Sequence, residues 1–167
     1  NVKLNLKNII NTLKDMRNYL FPIKKFTNKF QNINSKEDLR NFIQERSAHV
    51  TQTTLYGYIK TRIGSRYAMM FEDEVFLKSI NLAKWNIYMV ALTDCTFYVF
   101  SYLIDKKNLK QNDALEVFME IIEKEKSNGL EDKLFENTKL EFNQKLKEIN
   151  WKTYHQDNPF KNSGLSL

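Results

Sequence analysis

Apolar residues recur along this chain at every third or fourth position with few breaks, a period that predicts helices. Leu6, Ile9, Ile10, Leu13, Met16 and Leu20 share one face of a segment over 2–20 whose other positions carry lysines, and Pro22 stops it. Residues 23–34 show little periodicity and read as a linker. A second helix is expected from Ser35, where Ser35-Lys-Glu-Asp38 has the form of a capping box, to about Ile63, with Gly64 ending it. Leu39, Phe42, Ile43, Val50, Leu55 and Ile59 are its apolar positions. Its ridge of Ser47, Thr51, Thr54, Tyr58 and Thr61 is rich in hydroxyls, which lets another helix approach closely and lets the hydroxyls bond to carbonyls one turn back. The acidic run Glu72–Glu74 suits the start of a long helix over about 73–104. A fourth helix runs from Asn108 to the Ser127-Asn128-Gly129 break. A fifth, about Leu130–Ile149, turns Leu134, Thr138, Phe142, Leu146 and Ile149 inward and pairs Glu141 with Lys145 on its outer face. Beyond Trp151 the chain is polar, contains Pro159 and reads as irregular.

The predicted architecture is therefore all-α, with about five helices packed around a long central apolar helix (about 73–104). It divides into a basic amphipathic arm and linker (1–34), a helical domain (35–150) and an irregular tail (151–167). Only four Gly and two Pro in 167 residues argue against an all-β fold or a glycine-rich phosphate loop, and 42% hydrophobic residues argue against disorder. The eighteen residues Ile87–Ile104 hold a single charge, Asp94. That length is at the lower edge for a membrane span, but a carboxylate at mid-span would cost about 3 kcal/mol. A central helix buried on most sides is the expectation, and a subunit spanning the membrane through 87–104 is its rival.

Charge changes this picture by its location. Residues 1–30 carry Lys3, Lys7, Lys14, Arg17, Lys24, Lys25 and Lys29 against Asp15 alone, which accounts for the whole net charge of +6. The other 137 residues balance, so a nucleic-acid track is disfavoured. The arm is expected to meet an anionic membrane surface or a protein partner, or simply to cover the core of its own domain.

Candidate chemistry is sparse. No Gly-x-Ser-x-Gly elbow, Ser-x-x-Lys, phosphate loop or dinucleotide fingerprint occurs. With His49 and His155 the only histidines and Cys95 the only cysteine, no metal site and no cofactor are expected. Cys95 sits in an apolar run and reads as a small buried hydrophobe. Ser47 and His49 are about 200° apart around a helix and cannot form a dyad with each other. Tyr56 and Lys60 share a helical face, and with Arg62, Arg66 and Tyr67 they could bind a phosphate or carboxylate. The alternative is that those bases are held by Glu72, Asp73 and Glu74. Asp94, in mid-helix, must be paired or neutral. Arg46, Arg62 or His49 is expected to meet it, giving a buried polar network of Arg46, His49 and Asp94.

The run from Arg46 to Tyr67, then Met70–Phe76 and Ser79–Trp85, resembles a family of small, uncharacterised alphaproteobacterial helical proteins, some of which carry the automatic label "esterase". The resemblance covers about 37–104 well and the later helices loosely. It implies an intracellular bacterial protein whose domain continues past residue 167, and the label implies ester hydrolysis. It assigns no catalytic residue. The leading expectation is a non-enzymatic helical interaction or scaffold module, cytoplasmic and peripheral on the inner membrane within a larger assembly. The rivals are an esterase-like hydrolase, with Ser47, Thr51 or Thr54 in reach of His49, and an anion- or nucleotide-binding protein using the Tyr56–Arg66 patch.

Overall fold

Helix boundaries fall where short polar side chains can satisfy backbone groups. In the computed structural model, which describes residues 33–63, 66, 70 and 72–156, α1 (Lys36–Ile63) opens on a reciprocal cap. Ser35 Oγ accepts from the Asp38 N–H at 3.0 Å, and Asp38 Oδ2 accepts from the Ser35 N–H at 3.0 Å. Asp73 caps α2 (Glu74–Lys107) by accepting the Val75 N–H at 2.8 Å, and α2 ends at Asn108 in the left-handed region, φ 58°. α3 (Gln111–Ser127) ends at Gly129, φ 105°, where a side chain would be strained. There the Leu130 N–H reaches back to the Glu125 carbonyl at 3.1 Å and the Gly129 N–H to Lys126 at 3.2 Å. That short reversal brings α4 (Asp132–Glu148) back along the bundle, and a 3-10 turn, Tyr154–Gln156, follows.

The fold is all-α, with four helices among the described residues. The helix expected over 2–20 lies outside them. The long apolar helix is central as expected: α2 packs on α1, α3, α4 and the 3-10 turn. By length and composition it could cross a membrane, but 61% of its most apolar stretch is buried within the fold. The hydroxyl ridge of α1 behaves as its first half predicts. Ser47 and Thr51 are fully buried and donate to the Ile43 and Ser47 carbonyls at 2.7 Å each. Past Thr54 the ridge turns outward, leaving Tyr58 and Thr61 exposed.

The core centres on aromatic rings from three helices. Phe118 of α3 stacks on Phe142 of α4 with ring centroids 3.8 Å apart, and Phe142 stacks on Phe97 of α2 at 4.6 Å. Trp151 and Tyr154 close over the far side of Phe97 at 5.3 and 6.0 Å. All three Phe side chains are fully buried, each worth about 1.5–3 kcal/mol of apolar burial.

Cys95 is buried against α1, and burial pushes its thiol from 9.0 up to about 12. Such a group is no nucleophile near neutral pH. Its raised folded-state pKa means that the unfolded chain gives up the thiol proton first. Its contribution is therefore fully present below pH 9 and is lost as pH rises toward 12. At about 1.36 kcal/mol per unit, the loss approaches 4 kcal/mol. Urea midpoints are expected to fall steeply between pH 9 and 11, and less steeply in Cys95→Ala. Equal slopes in the two proteins would show that the thiol plays no part.

Candidate functional site

Asp94 sits mid-way along α2, one residue before Cys95. Successive helical side chains point about 100° apart, so the two face different neighbours. Cys95 turns to α1, beside Ser47, whereas Asp94 turns to α4. There the Lys145 ammonium donates to Asp94 Oδ1 at 3.0 Å. Asp94 is 1% exposed, and its second oxygen, Oδ2, is buried with no hydrogen-bond partner among the described residues. Lys145 is held on its other side by two rings, 5.1 Å from the centroids of Phe97 and Tyr154. Burial pulls its ammonium down, but the Tyr154 hydroxyl and the Asp94 carboxylate outweigh that and hold it above the usual lysine range.

This pairing corrects two expectations. Lys145 does not lie outward against Glu141: it follows Thr138 by seven residues, on the same inward face. The network of Arg46, His49 and Asp94 does not assemble either. Arg46 and His49 stand on the exposed side of α1, with the Arg46 guanidinium 5.4 Å from the Phe42 ring centroid. The inward positions of α1 belong to Leu39, Ile43, Ser47, Ala48, Thr51, Leu55 and Ile59.

Above the pair, α2 and α4 splay to leave a cleft of about 380 Å³. Asn86, Met89, Val90, Thr93 and Asp94 line one wall; Leu134, Asn137, Thr138, Glu141 and Lys145 line the other. Two of its polar donors are engaged with helix carbonyls. Asn86 Nδ2 donates to Leu82 O and Thr93 Oγ1 to Met89 O, both at 2.9 Å.

A second buried carboxylate, Glu125 on α3, is fully engaged. It accepts from Gln44 at 3.2 Å, Tyr88 at 3.1 Å and Asn128 at 2.9 Å, joining α1, α2 and α3. Burial lowers the nearby Lys84 ammonium while Glu125 opposes that, and burial raises the Tyr88 hydroxyl well above its ordinary range. With three donors from three elements on its carboxylate, Glu125 forms a structural junction.

A third cluster places Ser101, His155 and Asp105 in the order of a hydrolytic triad. His155 Nδ1 is 3.0 Å from Ser101 Oγ, and His155 Nε2 is 3.6 Å from Asp105 Oδ2. The hydroxyl, however, donates to the Trp151 carbonyl at 2.6 Å and accepts the His155 backbone N–H at 3.0 Å. The contact to the Trp151 carbonyl engages the hydroxyl hydrogen that a base would have to take. Ser101 is also 0% exposed. The cluster fastens the 3-10 turn to α2.

Of the hydroxyls proposed for a hydrolase, Ser47 and Thr51 face the core and bond to carbonyls of their own helix, and Thr54 Oγ1 is buried with no hydrogen-bond partner among the described residues. In the anion patch, Tyr56 packs half-buried on the core, whereas Lys60 and Arg66 are exposed. Neither base forms an ion pair with Glu72, Asp73 or Glu74 among the described residues. The Arg62 side chain, Tyr67 and the basic arm lie outside the described residues. Among those described, no group of three metal-ligating side chains comes together. No family model, curated protein or solved structure matches this chain.

Proposed function

We propose that this chain is a non-enzymatic helical binding module that takes a polar group of its ligand into the cleft between α2 and α4. The observation that carries this reading is Asp94: a carboxylate at the wall of a cleft, 1% exposed, with one oxygen satisfied by Lys145 and the other unsatisfied. Leaving a charged acceptor buried and half-paired costs free energy, and unsatisfied groups of this kind cluster where ligands complete them. The hydroxyls and thiol that could have served as nucleophiles support the same reading. Ser47, Thr51 and Ser101 are buried and bonded to carbonyls, and Cys95 is held protonated.

The rival reading is hydrolysis through Ser101, and it is tested directly with p-nitrophenyl acetate and p-nitrophenyl butyrate. The full chain is expected to release nitrophenol no faster than its Ser101→Ala variant. Turnover that disappears in Ser101→Ala while the variant keeps its helical circular dichroism would overturn the binding-module reading.

A further inference from the structure

The cleft's chemistry identifies the ligand class, an inference that rests on the binding reading above. Its walls set acceptors beside the Asn137 amide and the Thr138 hydroxyl. One Asn86 amide N–H and the Thr93 hydroxyl hydrogen are turned to helix carbonyls, which leaves Asn86 Oδ1, its second N–H and the Thr93 oxygen lone pairs. Lys145 gives one hydrogen to Asp94 and is flanked by the Phe97 and Tyr154 rings. Asp94 Oδ2 and the exposed Glu141 carboxylate are acceptors only.

The formal charge agrees. Two carboxylates, Asp94 and Glu141, and a single ammonium line the cleft, so it carries a formal net −1 that one monocation neutralises. Around these groups Met89, Val90 and Leu134 supply apolar wall. An anion would meet two carboxylates and a lysine already paired. A neutral hydrocarbon would leave Oδ2 as it is. The terminal torsion of an aspartate is broad, so Oδ2, covered in this conformation, can turn toward a donor entering from the cleft.

We propose that the α2–α4 cleft binds a primary ammonium group on an aliphatic stem, with the ammonium between Asp94 and Glu141 and the stem along Met89, Val90 and Leu134. Two sources share this chemistry, a free alkylamine and a lysine side chain.

The test is isothermal titration of the full chain at pH 7 and low salt with n-butylammonium chloride and, separately, with Nα-acetyl-lysine-N-methylamide. n-Butanol and sodium butyrate serve as matched neutral and anionic probes. Saturable binding of at least one amine, at least tenfold tighter than butanol or butyrate, is expected. Butylammonium alone points to a free amine; acetyl-lysine amide, alone or preferred, points to a lysine side chain. Glu141→Gln, at an exposed position that leaves the fold intact, is expected to weaken the amine several-fold. Asp94→Asn should weaken it at least tenfold, and Glu136→Gln, on the same helix outside the cleft, should leave it unchanged. No saturable amine binding, binding matched by butanol, or binding unchanged in both Glu141→Gln and Asp94→Asn would overturn the inference. None of those outcomes touches the binding-module reading, which fails on Ser101-dependent hydrolysis instead.

Discussion

Replacing Phe142 by alanine is expected to lower the unfolding free energy by about 4 kcal/mol, a large share of the 5–15 kcal/mol typical of a domain this size. Phe142 is fully buried and lies between two rings, Phe118 at 3.8 Å and Phe97 at 4.6 Å. Its removal therefore opens a cavity and breaks both stacked contacts. The site is poorly able to collapse, because its walls come from three separate helices that would all have to shift. Only Phe135, Thr138 and Phe142 of α4 are buried, so this one ring holds much of that helix in place. In urea the midpoint should fall by about 2 M. If α4 detaches before the rest, the denaturant slope falls with it. Leu140→Ala, at a 68% exposed position of the same helix, should shift stability by no more than about 0.5 kcal/mol. A Phe142→Ala loss below about 1 kcal/mol would mean that the three-ring stack is not the centre of the core.

The helices and their ends were legible because local chemistry sets them. Ser35 with Asp38, Asp73, Asn108 and Gly129 act through neighbours one to four residues away, and an apolar face shows itself by period. The site was legible only in part. That Asp94 had to find a partner follows from an isolated carboxylate in an apolar helix. Its partner could not be read from α1, because the orientation of position 94 depends on how α2 is rotated against its neighbours. A sharper use of the period would have found Lys145, which follows Thr138 by seven residues and Phe142 by three. It would also have found Glu125, which follows Ile121 by four and Phe118 by seven. A charge in the middle of an inward stripe signals a buried polar contact as clearly as a charge in an apolar run does. Ser101 with His155 gave no such signal, since 54 residues separate them and only the return of the chain after Trp151 joins them. Of the Tyr56–Arg66 patch, Lys60 and Arg66 are exposed, while the Arg62 side chain and Tyr67 lie outside the described residues.

Lys145→Met is the second large effect, expected to cost about 3 kcal/mol at neutral pH. Removing one partner of a buried ion pair leaves the other charge desolvated, which commonly costs about 3–5 kcal/mol. The lower end applies because the lysine side chain is itself 22% exposed, so part of its own charge is already solvated. The asymmetry between the partners is the sharper test. Asp94→Asn leaves an ammonium that can turn to the cleft and its solvent, and should cost less than half as much as Lys145→Met, which strands a carboxylate that is 1% exposed. Asp94→Leu combined with Lys145→Met removes both charges and puts apolar groups beside Phe97 and Tyr154. That double variant should recover most of the loss and can exceed the parent in stability, as apolar replacements of buried pairs often do. Chemical denaturation of the parent, Asp94→Leu, Lys145→Met and the double variant gives the cycle directly. Recovery in the double variant would mean that the pair is kept for something other than stability, as a cleft built to receive an ammonium requires. A double variant as unstable as Lys145→Met would instead make the pair a structural bolt, and the unsatisfied oxygen of Asp94 would then be a cost of the fold with no ligand behind it.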